Sequence, residues 1–367
     1  MGSNSIGKEF CITCFGESHG KCVGVVIDGC PAGLYIELKD IQEELDKRIP
    51  PDPEIVSPRK EEDKVEILSG IFNGYTTGAP ILAIVWNKEA KEEDYEFIKN
   101  LARPSHADYP ARVKYGGFND YRGGGRFSGR ITLAFVIAGA IAKKLLKTMD
   151  IEVIAHTVKI GNIELKKEIS FDEIKNMRYK SPVRCVDLEL SKKMKELILK
   201  AKLEGDSVGG IVECIVINVP IGVGEPIFDS LDADIAKIMF NIPAVKGVEF
   251  GAGFKVAELK GSENNDPYTI KNGKIITLSN NAGGIIGGLS TGMPIKVRVA
   301  FKPPSSIFKE QKTVDLARME ETSIKIKGRH DVCIVPKAIP VVEGAMAIVL
   351  VDHLIRGGFL PKVLKRI

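Results

Sequence analysis

Apolar and polar positions alternate along this chain in two rhythms. From Asp40 to Arg48 and from Ser191 to Leu203 the apolar residues recur every three or four positions, which gives a helix one apolar face. Ile81 to Trp86, Ile211 to Val219 and Pro294 to Phe301 are short runs rich in β-branched residues, and they predict strands, as do Phe10 to Phe15 and Val23 to Asp28. Ser128 to Lys147, Leu231 to Met239 and Glu343 to Leu354 are apolar around most of the helical circumference. Helices of that kind need cover on every side, so the pattern predicts a mixed α/β fold with helices layered between sheets.

At 367 residues and 44% hydrophobic the chain can bury one large core or two modest ones. No repeat or linker marks a boundary, so one unit over 1–367 is expected; Met1-Gly2-Ser3 reads as an expression remnant as readily as native sequence. Fifty-two Lys and Arg against 48 Asp and Glu leave only +4. That balance argues against a nucleic-acid or membrane-surface partner and makes any attraction for anions local. The longest strongly apolar stretch, Ile131 to Ala142, falls short of the roughly 20 residues of a membrane span, and no apolar signal core is visible, so a cytoplasmic location is expected. Seven cysteines are an odd number in a chain too long to need stapling, which points to reduced thiols. Cys11 and Cys14, with Cys22 and Cys30, could be imagined as a zinc site, but Cys11 and Cys14 lie in an apolar strand where cysteine behaves as a buried hydrophobe; no metal is expected.

Five segments carry candidate chemistry. Gly16-Glu17-Ser18-His19-Gly20 lies between two predicted strands, where Ser18 and His19 are displayed at a strand end. A histidine can give a proton to a leaving oxyanion at neutral pH, or simply close the turn. Arg103-Pro104-Ser105-His106-Ala107-Asp108 is a proline-stiffened loop with a second histidine, notable because the chain has only five. Tyr121 to Arg130 joins Gly123-Gly124-Gly125 to several arginines and opens into the apolar helix, with Ser128 placed to cap it; free amides and guanidinium groups make an anion site. It is neither a Walker loop nor a G-x-G-x-x-G fingerprint. Lys302-Pro303-Pro304-Ser305-Ser306 ends a strand with a cation and hydroxyls suited to phosphate, and Gly328-Arg329-His330-Asp331 sets a forked guanidinium beside titratable neighbours. Each has an ordinary turn as its bland alternative.

In order and surroundings these segments closely resemble the chorismate synthase family. Val65-Glu66-Ile67-Leu68-Ser69-Gly70, Thr76-Thr77-Gly78-Ala79-Pro80, Ala244-Val245-Lys246-Gly247-Val248-Glu249 and Asn281-Ala282-Gly283-Gly284-Ile285 extend the resemblance over nearly the whole chain. It implies a β-α-β sandwich assembled as a homotetramer. It also implies a lyase that converts 5-enolpyruvylshikimate 3-phosphate to chorismate by 1,4-anti elimination of phosphate. Reduced FMN is required without net redox change, its N5 being the favoured acceptor of the C6 proton. By matched position, the resemblance makes His19 the proton donor to the departing phosphate, His106 the partner of reduced flavin near N1, and Asp331 a relay for the N5 proton. It assigns Ser18, Arg48, Arg103, Ser128, Arg130 and Arg329 to the substrate. To FMN it assigns Arg126, Phe127, Ser128, Pro243, Ala244, Gly287, Lys302, Pro303, Pro304, Ser305, Ser306 and Arg329.

The chain departs from the family pattern at Glu54, where the family carries an arginine, and at Phe127 and Gly129, where it carries small residues. Glu54 removes one expected phosphate contact and reverses its charge, and Arg59 is the candidate to compensate. Two other functions remain in view: an NAD(P)H-dependent flavin oxidoreductase, and an inactive anion-binding homologue. No added reductase domain is evident, so reduced flavin is expected from an external source.

Overall fold

The computed structural model describes residues 2–50, 52–55, 63–88, 98–326, 328 and 330–364. Two five-stranded antiparallel sheets form its outer layers. The first holds β1 (Ser5–Ile6), β2 (Cys11–Gly16), β3 (Cys22–Asp28), β4 (Val65–Ile67) and β5 (Ile81–Trp86) in the order β1-β2-β3-β5-β4, with Cys14 opposite Val25 and Val25 opposite Ala83. The second holds β6 (Glu152–Ile160), β7 (Ile163–Glu164), β8 (Gly210–Ile217), β9 (Val245–Phe250) and β10 (Ile295–Phe301) in the order β9-β10-β8-β6-β7. Along β10, Ile295, Val297, Val299 and Phe301 are buried and the residues between them are not, the period-two signature of a strand with one face on the core.

The long helices are α1 (Leu38–Asp46), α2 (Leu133–Lys147), α3 (Leu188–Leu203), α4 (Leu231–Phe240) and α5 (Val335–Arg356). Helix α2 packs against β3 of the first sheet, α5 against β6 and β8 of the second, and the two helices pack on each other. The expected layering of helices between sheets is therefore what the chain adopts. The α2–α5 crossing is close because Gly139 faces Gly344: a Cβ on either would run into the other helix's backbone. One continuous hydrophobic cluster runs from Phe10 to Leu360.

Two boundaries differ from the sequence pattern. Helix α5 begins at Val335, not near Glu343, since Pro336 sits in its first turn and Pro340 lies inside it. A proline lacks the N–H that would serve the carbonyl four residues earlier. That carbonyl, on Pro336, instead accepts a hydrogen bond from Nη1 of buried Arg184 at 2.7 Å. Ser128 does cap a helical segment, but it is the 3₁₀ turn Gly129–Thr132 that precedes α2. With its early start α5 reaches 22 residues, long and apolar enough by composition to cross a membrane, yet its apolar window is wholly buried in the fold. Among its residues only Lys337 and Arg356 escape burial.

Candidate active site

His19 stands in the turn between β2 and β3, and both it and Ser18 are buried. The Ser18 N–H donates to the Gly125 carbonyl at 3.2 Å, which docks this turn on the glycine segment. Gly123, Gly124 and Gly125 take φ values of 57, 83 and 50° in succession, a left-handed run that other residues adopt only with strain. At Gly123 the missing side chain is itself the function: a Cβ would collide with the His19 imidazole and press on the Ser18 hydroxyl. Asp120 lies close enough for His19 to stabilise its charge. Burial alone would raise the Asp120 pKa, but hydrogen bonds from Arg122 and the field of His19 hold it below the usual carboxylate value.

Beside this turn two arginines from distant segments share one carboxylate. Arg48 Nη1 and Arg130 Nη1 each lie 3.0 Å from Asp63, on separate oxygens. Arg130 Nε also donates to the Asn87 side-chain oxygen at 2.5 Å. Burial lowers the Arg48 pKa; Asp63 opposes that, Arg130 adds to it and Asp331 opposes it again, so Asp331 belongs to the same electrostatic cluster. Lys337, the half-exposed residue of α5, donates to Asp331 at 2.6 Å. Arg184 fixes this arrangement from behind, its guanidinium donating to the backbone carbonyls of Lys47 and Pro336, the residues just before Arg48 and Lys337.

His106 is built differently. Its Nδ1 lies 3.0 Å from the Pro104 carbonyl and its Nε2 3.0 Å from the Ser306 hydroxyl. A carbonyl can only accept, so Nδ1 carries the hydrogen and Nε2 accepts from Ser306. Burial first, and the positive charge of Arg103 second, push the imidazole down to about 4, so it is neutral at pH 7. Arg103 is itself matched by Asp108 through a bidentate pair at 2.7 and 2.8 Å. Lys302 donates to the Ser105 carbonyl and the Ser305 hydroxyl, both at 2.7 Å, and its N–H donates to the carbonyl of Ala244, which sits at φ 74°. His106, Lys302, Ser305, Ser306 and Ala244 thus form one cluster, with Pro303 and Pro304 in the same loop and Pro243 next to Ala244.

The two clusters meet along one seam. Ser207 donates to the Pro304 carbonyl at 2.7 Å, Val208 N–H to the Val332 carbonyl at 2.9 Å, and Phe308 lies 6.0 Å from the His330 ring, beside Asp331. Arg126, expected at the flavin, donates to the Gly16 and Cys14 carbonyls and to the Asn4 side chain, pinning the edge of β2. Phe127 is half exposed beside Ser128. Gly287 lies in the open turn of the Ile285–Ser290 hairpin, which meets the start of α4; Ala244 follows the other end of that ten-residue helix, about 15 Å away. Arg329 and Arg59 fall outside the described residues. Glu54 turns toward α3, where its carboxylate lies 2.5 Å from Lys195 and its backbone carbonyl accepts from Lys202.

Asp63, Asn87, Asp120, Lys337 and Arg184 are site components that the sequence did not single out. Asn87, the polar residue directly after an apolar strand, had a usable signal in its strand-end position. Asp63 had none, being one acid in the charged run Lys60 to Lys64.

Comparison with known proteins bears on this geometry. Residues 10–355 match the family model described as chorismate synthase. The chain is 56% identical to chorismate synthase of Dehalococcoides mccartyi strain BAV1 over 364 residues, 99% of this chain and all of that protein. It is also 56% identical to chorismate synthase of Methanobrevibacter smithii, over 98% of each chain. A crystal structure of chorismate synthase superposes with a TM-score of 0.74 at 32% identity, covering 96% of this chain and 93% of that one.

Proposed function

The chain belongs to the chorismate synthase family, and on that premise we propose that its two histidine clusters divide one elimination between them. The function is that of a carbon–oxygen lyase of the shikimate pathway to aromatic amino acids: loss of phosphate from 5-enolpyruvylshikimate 3-phosphate to give chorismate. The family uses reduced flavin. The observation that carries our reading is the convergence of Arg48 and Arg130, from separate segments, on Asp63, with the His19 turn tied to Arg130 through Asn87.

Arg48 and Arg130 grip the substrate's phosphate with fork-shaped donors already aimed at an anion, Asp63. Phosphate joins or displaces that carboxylate, so the guanidinium groups need not reorganise. His19, against Gly123 and beside Ser18, gives the departing phosphate its proton. Asp331, paired with Lys337, handles the proton lost from the ring, and Arg103, Ser128 and Arg329 complete the substrate's contacts.

The second cluster fits a phosphate-bearing flavin by its donor set, the Lys302 ammonium and the Ser305 and Ser306 hydroxyls, with Ala244 beside them and the open turn at Gly287 at the far end of α4. Reduced FMN, when bound, supplies transient electron density that assists loss of phosphate. His106, neutral, offers that ring system a polar edge; a bound anion beside it raises its pKa toward protonation. Pro243, Pro303, Pro304, Arg126, Phe127 and Ser128 line the remainder.

We read the assembly as a cytoplasmic homotetramer of single-domain chains supplied with reduced flavin from outside. Supporting this are exposed apolar side chains such as Ile227 and Phe228, at 80 and 93% exposure, and seven free cysteines. An anaerobic assay with chemically reduced FMN tests the whole reading. Phosphate release without NADPH, abolished in His19→Ala and slowed in His106→Ala, is expected. NADPH oxidation without phosphate release would make the chain a flavin reductase, and binding without turnover would make it an inactive homologue.

A further inference from the structure

We infer that Asn87 is a positioning residue that couples the proton-donating turn to the phosphate-gripping arginine, an inference resting on the roles given above to His19 and Arg130. Asn87 directly follows β5, and its backbone N–H donates to the Lys21 carbonyl at 3.0 Å. Its side-chain amide donates to the Glu17 carbonyl at 3.0 Å and the Gly20 carbonyl at 2.8 Å, the two carbonyls that bracket Ser18 and His19. Its oxygen accepts from Arg130 Nε at 2.5 Å. The amide's orientation follows from these partners, because carbonyls only accept and Nε only donates.

The chemistry demands a primary amide. It needs two donors on one side for the carbonyls of a tight turn and one acceptor on the other for a guanidinium. Aspartate keeps the acceptor but sets a carboxylate oxygen against two carbonyls. Alanine removes both functions, and glutamine, one methylene longer, cannot meet all three partners at these distances. The residue therefore transmits the position of Arg130, and with it of Asp63 and the bound phosphate, to the imidazole that protonates it.

This coupling predicts a split that a merely structural role would not produce. In Asn87→Asp, Arg130 stays held, so KM for 5-enolpyruvylshikimate 3-phosphate stays within about twofold while kcat falls about 10- to 100-fold as the His19 turn loosens. In Asn87→Ala both parameters deteriorate. Calorimetric binding of the substrate should follow the same order, near wild type for Asn87→Asp and at least about tenfold weaker for Asn87→Ala. With five histidines in the chain, ¹³Cε1-histidine NMR gives a readout free of turnover: the His19 resonance moves in both variants, and His106 does not. A kcat within twofold of wild type in both variants, an unmoved His19 resonance, or an equal rise of KM in both overturns the inference. His19→Ala separates the two levels. If it turns over normally the reading of the site fails; if it is crippled while Asn87→Asp is normal, only the role of Asn87 fails.

Discussion

The two histidine loops each set a histidine in a turn shaped by glycine or proline, and they gather their charges in opposite ways. Around His19 the charges are distributed across the fold: Arg48 comes from just after α1, Arg130 from before α2, Asp63 from before β4 and Asp120 from the approach to the glycine segment. Around His106 the charge is cancelled locally, Arg103 by Asp108 five residues on, and the imidazole is left neutral between a carbonyl and a hydroxyl. A motif of short-range letters therefore does not fix what a histidine does. Charges assembled from afar converge on one shared carboxylate beside the histidine turn, whereas charges matched within one loop leave a neutral polar wall.

The contrast is tested most severely by truncating the two arginines. Arg130→Ala leaves Asp63 facing the anionic substrate with one cation fewer, and kcat/KM should fall by about 10²- to 10³-fold, mostly through KM. Arg103→Ala should raise KM less and act more on stability, since its guanidinium is already matched by Asp108 and its loss orphans that carboxylate within its own loop. Steady-state kinetics beside urea unfolding distinguish the two, and an equal rise in KM would erase the difference drawn here. Next in size is Gly123→Ala. A Cβ there meets the His19 ring, and the backbone must keep φ near 57°. A loss of kcat of about 30-fold or more is expected, with about 1–2 kcal/mol of stability. Normal turnover in that variant would mean the imidazole does not need its present position.

How much of this was legible in the sequence follows the same division. The His106 loop was readable because its partners are neighbours in the chain or lie in a second conspicuous motif, Lys302 to Ser306. The layered helices were readable because burial on all sides leaves an unmistakable apolar pattern. Asp63 and Arg184 were not readable, because an acid in a charged run and an arginine after Ser181-Pro182-Val183 acquire meaning only when the fold brings distant backbone or cations to them. The start of α5 was hidden for a related reason: Pro336 and Pro340 argue against helix locally, and the carbonyl they leave without a helical partner is satisfied by a residue about 150 positions away.

The pH dependence of stability examines the His106 side more finely. Its folded-state pKa, about 4, lies below the ordinary value of 6.5, so between those limits the unfolded chain binds more protons than the folded one. Stability contributed by the neutral imidazole is therefore present above pH 6.5 and is lost as pH falls toward 4. His106→Asn, which cannot titrate, should flatten that decline by at most about 1.4 kcal/mol per pH unit while leaving the curve above pH 6.5 parallel to wild type. Urea titrations at half-unit steps would show it. An unchanged slope would mean that folding does not lower the His106 pKa, and the neutral wall drawn for that loop would lose its basis.

The smallest expected effect concerns the substitution that looked most threatening in the sequence. Glu54 stands where an arginine is expected, yet its carboxylate is turned to Lys195, which also holds Asp52 at 2.6 Å, and Lys202 anchors the same turn through the Glu54 carbonyl. The side chain is 61% exposed, so the pair is screened by solvent and contributes little. Restoring arginine in Glu54→Arg would place it against two lysines of α3, lowering Tm by no more than about 2 °C and changing kcat/KM less than twofold. If KM instead fell tenfold, the turn would have to swing from α3 to the phosphate. The electrostatic cluster around Asp63 would then extend across the loop that α3 now holds away from it.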